Sequence, residues 1–469
     1  MNAKTKWTFL ITSVALFMTA LDNLVVSTSL PVIRKDLGAS IEDLEWTVNA
    51  YTLTFAVLLL TGAALGDRFG RRRLFTIGMS IFTVASAAAA LAPSAQALIA
   101  ARAAQGVGGA ILTPLTLTIL SASVPAERRG AVLGAWGAIG GLAVAFGPLV
   151  GGAVVSGLSW HWIFWLNVPI GLVLIPLAAR KLDETHGASS SLDLPGVGLA
   201  SAGLLGIVWG LVRGNGQGWT SAEIVASLAA GAAVLVAFVV WELRAEQPML
   251  PMRFFRNRTF AAINAASLLM FFGMFGSIFL LTQFLQTVQG LSPLAAGTRI
   301  LPWTLAPLFI APIVGPLSDK IGGRPFLVAG LALQATGLAW LAYVTTTNVS
   351  YAALVPGFVM SGVGMALFWV PSANVVLGSV RPEEEGQASG ANNAIRELGG
   401  VFGVAVLASV FSSYGGYATG QTFVDGLTPA IWIGAAIVLV GAVAAAIIPR
   451  RKRAAAEVIE LVPEFEAAA

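Results

Sequence analysis

The chain has 469 residues, 57% of them hydrophobic and only 11% charged, with 27 basic against 23 acidic side chains. A soluble enzyme of this length would carry about 25% charged residues and a disordered chain would be poor in apolar ones, so both classes are excluded. There is no cysteine and there are two histidines, His161 and His186, too few for a zinc site unaided. A spanning helix needs about 20 mainly apolar residues. Fourteen such segments follow one another: 7–33, 46–66, 73–92, 96–122, 130–157, 161–180, 194–213, 221–242, 259–287, 293–317, 325–346, 351–379, 386–414 and 428–449. The first begins after Lys4 and Lys6, exceeds the apolar stretch of a secretory signal and lacks a small-residue cleavage site, so it reads as a retained helix. The stretch from Asp183 to Ser191 reads as a linker. The tail after Arg453, with Glu457, Glu460, Glu464 and Glu466, reads as a short acidic segment without chemistry.

An even number of spans puts both termini on one side of the bilayer. If that side is the cytoplasm, 21 basic residues fall in inside segments and 3 outside, namely Arg34, Lys35 and Arg213. Arg102, Arg299 and Arg396 lie within spans or at their edges. So strong a bias is the positive-inside signature, and one missed helix would scramble it. It also accounts for the excess of base as topology. A nucleic-acid binder would cluster these residues on one soluble face, so nucleic acid is not expected as a partner.

Two turns repeat a pattern 252 residues apart. Leu65, Asp67, Arg68, Gly70 and Arg72 are matched by Leu317, Asp319, Lys320, Gly322 and Arg324, with Arg71 beside the first set. Gly130, Gly134 and Gly147 recur as Gly386, Gly390 and Gly403. Spans 2 and 5 therefore match spans 10 and 13. The expectation is an all-α membrane protein of fourteen transmembrane helices, as two six-helix bundles with an inserted pair, spans 7 and 8, between them. The divisions fall at 1–182 for the first bundle, 183–245 for linker and inserted pair, 246–449 for the second bundle, and 450–469 for a cytoplasmic tail. Halves related in this way build many secondary transporters, with the substrate site at their interface.

At this point the sequence resembles the major facilitator superfamily, in particular its fourteen-spanner drug:proton antiporters. The resemblance rests on Leu21-Asp22 through Leu30-Pro31, on Leu65 to Arg72, and on Arg102, Gln105, Gly106 and Gly108. It rests also on Gly147-Pro148 with Gly151-Gly152, on Trp160 to Phe164, and on Asn167 to Gly171. Ala63 stands where the loop motif usually opens with glycine, and His161 where arginine is common. The resemblance implies proton coupling at the span 1 acid, a relay role for the span 4 arginine, and a seal against proton leak in span 5.

Asp22 is the most informative residue. A carboxylate within a span costs about 2.5–3.5 kcal/mol on insertion scales and is by default a functional group. Such an acid can hold a proton or a cationic substrate but hardly both, and that exclusion yields antiport. At about 1.5 Å per residue, Asp22 lies roughly 22 Å from the inner edge and Arg102 roughly 9 Å from the outer one. In a hydrocarbon core about 30 Å thick these levels nearly coincide, so Arg102 is expected to tune Asp22. Arg396 and Glu397 lie roughly 16 Å deep in span 13. Successive helical residues diverge by about 100°, so one should face a cavity and the other a neighbouring helix, with Glu397 a possible second proton or cation site.

The turns holding Asp67, Arg68, Gly70, Arg71, Arg72, Asp319, Lys320 and Arg324 read as a charge-assisted gate at the cytoplasmic mouth, and Gly70 as a left-handed turn or close approach. Gly147, Pro148, Gly151 and Gly152 allow close helix packing and a bend. Polar and aromatic side chains within central spans are candidate substrate contacts: Asn49, Tyr51, Asn264, Gln283, Trp303, Trp369, Asn374, Asn392 and Asn393. No phosphate-binding Gly-x4-Gly-Lys-Ser/Thr loop and no HExxH helix occurs, so no cofactor is expected and the proton gradient should supply energy. The leading expectation is a non-enzymatic, proton-driven exporter of hydrophobic, cationic or amphipathic antimicrobial compounds, working in the lipid bilayer of the cell membrane. Export of one endogenous metabolite or a lipid is the alternative within the class. A membrane-embedded enzyme lacks the clustered catalytic residues it needs, and a channel would need no alternating mouths.

Overall fold

The computed structural model describes residues 3–187, 192–381 and 384–449, and the expected tail lies outside them. The first half comprises α1 (Ala3–Leu37), α2 (Ile41–Phe69), α3 (Arg71–Ala90), α4 (Ala95–Ala122), α5 (Ala126–Gly157), and the sixth span, broken into α6 (Trp162–Trp165) and α7 (Asn167–Lys181). Then come α8 (Leu194–Gln217) and α9 (Ala222–Glu242). After a 3-10 turn at Met252–Arg256 the second half runs through α10 (Arg258–Thr287), a broken span of α11 (Pro293–Thr304) and α12 (Ala306–Ile321), α13 (Gly323–Val344), α14 (Tyr351–Leu377), α15 (Glu385–Tyr414) and α16 (Gly420–Ala446). Thirteen helical segments are long and apolar enough to cross a membrane, fourteen when bent α5 counts as one span. A lipid interior leaves no alternative, because each peptide group there must bond within its own segment.

The ends and breaks have local causes. Ser40 accepts from the Asp43 amide at 3.1 Å while the Asp43 carboxylate accepts from the Ser40 amide at 2.9 Å. This reciprocal cap starts α2 at Ile41 rather than at 46, the apolar edge. Thr419 and Thr422 do the same for α16, which starts at Gly420 and not at 428. Hydropathy marks where lipid begins; caps mark where the helix begins. Pro169 and Pro307 lack the N–H groups that would bridge the breaks before α7 and α12. In α5 the parts Ala135–Ala143 and Ala145–Gly157 meet at 41°, where Pro148 denies residue 144 its hydrogen bond.

Helix pairing repeats between the halves. α1 packs on α5 as α10 packs on α15, α3 on α4 as α13 on α14, and α3 on α7 as α13 on α16. Between halves, α5 packs on α11 while α15 packs on α2. The molecule is thus two six-helix bundles of one pairing scheme, with α8 and α9 packed on each other and α8 lying against both α2 and α15.

The halves meet tightly at the end away from the basic loops. There Gln286 Nε2 donates to the Thr28 carbonyl at 2.7 Å, the Leu294 amide to Ser156 Oγ at 3.1 Å, and Thr304 Oγ1 to the Ala145 carbonyl at 2.9 Å. The Arg34 guanidinium lies 3.8 Å from the Tyr417 ring centre. Toward the basic loops α5 makes far less contact with α12 than with α11. The chain's lack of cysteine makes this closure measurable. A Ser156→Cys/Leu294→Cys pair should form a disulfide under mild oxidation, visible as a shifted band after cleavage between the halves. Adding Gly152→Leu should lower the yield about tenfold, the equivalent of some 1.4 kcal/mol, and no crosslinking in the parent pair would show that these ends do not meet.

Candidate functional site

Asp22 is only 3% exposed and is surrounded by donors. Its Oδ2 pairs with Arg102 Nη1, and its Oδ1 accepts from Asn167 Nδ2 at 2.8 Å and Gln105 Nε2 at 3.1 Å. Ser86 Oγ accepts from Gln105 Nε2 at 2.8 Å and from Asn167 Nδ2 at 3.4 Å, joining α3 to the network. Arg102 is fully buried; its Nη1 reaches Gln105 Oε1 at 2.9 Å and its Nε the Thr47 carbonyl at 3.2 Å. The guanidinium stacks 4.3 Å from the Tyr51 ring centre, and the Tyr51 hydroxyl donates to the Thr19 carbonyl at 3.4 Å. Five helices thereby hold one charge pair. Hydrogen bonds to an ionised group are about twice as strong as those between neutral ones, so the cluster is a strong tie. Ser86 and the roles of Gln105 and Asn167 escaped sequence reasoning: one hydroxyl in an alanine-rich helix carries no periodic signal, and Asn167 reaches Asp22 only because the sixth span breaks beside it.

Arg396 and Glu397 part company, as the helical angle between them requires. Arg396 donates to Asn393 Oδ1 at 3.2 Å and sits 4.3 Å and 5.2 Å from the ring centres of Phe271 and Trp369, within its own bundle. Glu397 lies three residues beyond Ala394, which packs against the first-bundle core that holds Tyr51 and Phe55. Although mid-helix, Asn393, Arg396, Glu397 and Trp369 are only half-buried. Glu397 Oε2 accepts from no donor among the described residues.

The other polar residues of the central spans divide. Asn392 Nδ2 donates to Asn264 Oδ1 at 3.0 Å and to Ser267 Oγ at 3.2 Å, and Asn264 Nδ2 donates to the Phe260 carbonyl at 2.8 Å; both residues are nearly fully buried, which makes them a strut between α10 and α15 and not a lining. Gln283 accepts from the Tyr417 hydroxyl near the closed end, and Trp303 is fully buried 6.3 Å from Phe358. Those four positions depart from the expectation of substrate contact, because packing turned them inward. Asn49 is fully buried with neither amide atom bonded among the described residues, whereas Asn374 is exposed.

Gly70 and its repeat Gly322 adopt φ of 102° and 95°, which side chains rarely tolerate. Asp67 accepts from Arg71 Nε at 2.8 Å, and its carbonyl accepts from the Gly187 amide at 3.1 Å. Arg71 N donates to the Thr185 carbonyl at 2.9 Å, and the Arg72 amide donates to Glu184 Oε1 at 3.0 Å. The segment read as a plain linker therefore straps the turn. Among the described residues this first turn bonds within its own half, so the expected gate across the mouth is not made in this conformation. Arg68 lies exposed over the Phe69 ring, Lys320 is exposed and Arg324 half-buried; the Asp319 side chain lies outside the described residues. In α5, Gly147 and Gly151 lie against α1 and Gly152 against α11, where a Cβ would come within 2.7 Å of Leu24 Cβ, 2.9 Å of the Val25 carbonyl and 2.7 Å of Leu294 Cα. The Pro148 carbonyl meets Gly297 of α11 in turn.

Paired helical halves around a buried acid–arginine cluster define a multi-pass membrane protein. The chain belongs to the Major Facilitator Superfamily, which it matches over residues 12–404 and 263–466. It is 35% identical over 88% of its length to the multidrug resistance protein Stp of Mycobacterium tuberculosis, covering 77% of that protein. It is 38% identical over 85% of its length to the cephamycin export protein CmcT of Amycolatopsis lactamdurans, covering 83% of it. In fold it is similar to an auto-inhibited peptide transporter of the POT family, with a TM-score of 0.70 at 14% identity over 96% of this chain and 98% of that one.

Removing one partner of a buried pair strands the other, at a cost of roughly 3–5 kcal/mol. Asp22→Leu should therefore lower thermal stability strongly, whereas Asp22→Asn, which still accepts from Arg102, should lower it less. A cycle of Asp22→Asn, Arg102→Gln and the double variant should show coupling well above about 0.5 kcal/mol; additive losses would mean the two charges do not depend on each other.

Proposed function

We propose that this chain is a proton-coupled antiporter that exports hydrophobic, cationic or amphipathic drugs and antibiotics by alternating access. The single observation that carries the reading is the buried Asp22 carboxylate, bound at once by Arg102, Gln105 and Asn167. Its charge is stabilised only while those donors converge. A proton arriving on Asp22 removes the attraction to Arg102, which then seeks new partners, and the first bundle reshapes beside α2, the helix that packs on the other half. The half-buried Glu397 carboxylate, on the helix of the second half that packs on α2, supplies a negative group for a cationic substrate or a second proton. The half-buried Trp369 ring offers an apolar surface for an amphipathic cargo. The names of the relatives Stp and CmcT support a drug or antibiotic as cargo, and CmcT, named for one compound class, keeps open a dedicated exporter of one metabolite or lipid.

In this reading the protein works in the cell membrane with both termini cytoplasmic. It catalyses no reaction, uses no cofactor but the proton gradient, and binds no nucleic acid. Its working units are the bundles 1–182 and 246–449, the linker and inserted pair 183–245, and the tail 450–469. Asp67, Arg68 and Arg72, with their counterparts Asp319, Lys320 and Arg324 and with Arg71 beside them, close the cytoplasmic mouth in the opposite conformation, while the closely packed Gly147 to Gly152 segment seals the outer one.

Everted vesicles made acid inside should lose part of their pH gradient when a transported lipophilic cation is added. Asp22→Asn, present at normal level in the membrane, should abolish that response; a full response would refute coupling through Asp22. Glu397→Gln should weaken transport of cations at least about tenfold, near 1.4 kcal/mol, while sparing a neutral substrate. Equal loss for both would assign Glu397 to coupling instead of charge recognition.

A further inference from the structure

The inserted helix pair contributes nothing to the site above, yet it brings two carboxyl groups together over Gly196. Asp193 caps α8 and Glu242 ends α9, on the side of the basic loops. Both converge over Gly196, where a Cβ would fall 2.6 Å from Glu242 Oε1 and against Asp193 Oδ2. Glu242 is 3% exposed, and its Oε1 receives no N–H donor among the described residues. A proton bridging it to the neighbouring Asp193 Oδ2 would satisfy that oxygen.

Every other bond of the pair comes from a neutral donor. Asp193 Oδ1 accepts from the Gly196 amide at 2.9 Å and the Trp241 indole at 2.7 Å, and Oδ2 from the Met249 amide at 3.3 Å. Glu242 Oε2 accepts from the Leu250 amide at 2.9 Å. Burial pushes Asp193 up, but the Gly196 amide, Trp241, Glu242 and the Met249 amide outweigh it and hold Asp193 below the usual carboxylate range. Asp193 is accordingly the ionised partner and Glu242 carries the proton. No cation pairs with either acid among the described residues. Arg244 and Glu246 are exposed, and the packed faces of α2 and α15 offer Leu53, Val57, Val401 and Ala405. Further along the linker, Arg253 is tied to Glu384 at 2.6 Å. Hydrogen bonds from Arg381 hold Glu384 at about 2, so it stays charged through the neutral range.

We propose that Asp193 and Glu242 form a proton-binding site, distinct from Asp22, whose occupancy locks the inserted pair to the linker at Met249–Leu250 and so reports the pH on the basic-loop side. With one proton shared, the pair carries a single negative charge and clasps both linker amides. When that proton leaves to water, two carboxylates stand together without a cation, and their repulsion frees the linker. The linker leads directly into α10, while α8 lies against one helix of each half, so the clasp ties the moving interface to proton concentration. At its far end α8 is pinned independently: Arg213 reaches Glu42 of α2 at 3.2 Å and Asn215 bonds Ser409 of α15. Titration therefore loosens one end of the inserted pair and leaves the other attached.

The test is amide hydrogen exchange of the full-length protein in lipid nanodiscs, corrected for intrinsic rates and followed across residues 245–257. Wild type should lose protection at Met249 and Leu250 about tenfold or more between roughly pH 6 and roughly pH 9, the change that one proton-linked unit represents. Glu242→Gln keeps the bridging hydrogen bond without a titratable proton and should stay protected across the range. Trp241→Phe removes a donor from the doubly charged state and should move the wild-type midpoint to higher pH. Constant protection in wild type, or the same pH-dependent loss in Glu242→Gln, would overturn the proposal. Because the readout is backbone exchange and not transport, it is decided independently of whether Asp22 carries the transported proton.

Discussion

A carboxylate in hydrocarbon is tolerated only if its charge is answered on the spot, and Asp22 sets that condition for the first half of the molecule. Its partners come from α4 and α7, Ser86 of α3 accepts from two of them, and Arg102 reaches on to the backbone of α2. Four neighbouring helices are thereby positioned by one charge. The pair is a structural tie whose strength depends on both charges being present.

Rearrangement is possible because the remaining contacts between halves are mostly apolar or made through glycine. α5 lies between α1 and α11 on glycine faces, and a Cβ on Gly390 of α15 would come within 2.5 Å of the Leu60 side chain of α2. In lipid no hydrophobic force drives helices together, so close backbone approach and dispersion do that work. Such surfaces slide without breaking charged bonds. Polar ties between halves concentrate at the end opposite the basic loops, which is the end closed in this conformation.

The inserted pair adds a different kind of connection. It touches both halves through α8, at the contact of α2 with α15 that must change when one mouth closes and the other opens. Its polar attachments sit at its two ends and its middle is apolar, as lipid demands. An element so placed can bias an equilibrium between conformations while contributing nothing to the substrate path. The strap of residues 183–187 on the α2–α3 turn has the same character on the first half.

Span number, the orientation bias, the 252-residue repeat and the standing of Asp22 with Arg102 were legible in the chain, because apolar length, basic loops and charge within lipid are one-dimensional signals. Even the shared depth of that pair followed from helical rise alone. Tertiary structure decided which way side chains face. Hydropathy could not tell Asn264 and Asn392, bonded to each other, from Asn393, which accepts from Arg396. Nor could it show that Arg396 turns to Phe271 and Trp369. The approach of Asp193 to Glu242, 49 residues apart, exists only once α8 and α9 have folded back on each other. Each such outcome depends on helix rotation and on the neighbour that packing supplies, and a lipid-buried helix, apolar on nearly every face, does not encode its rotation in its own periodicity.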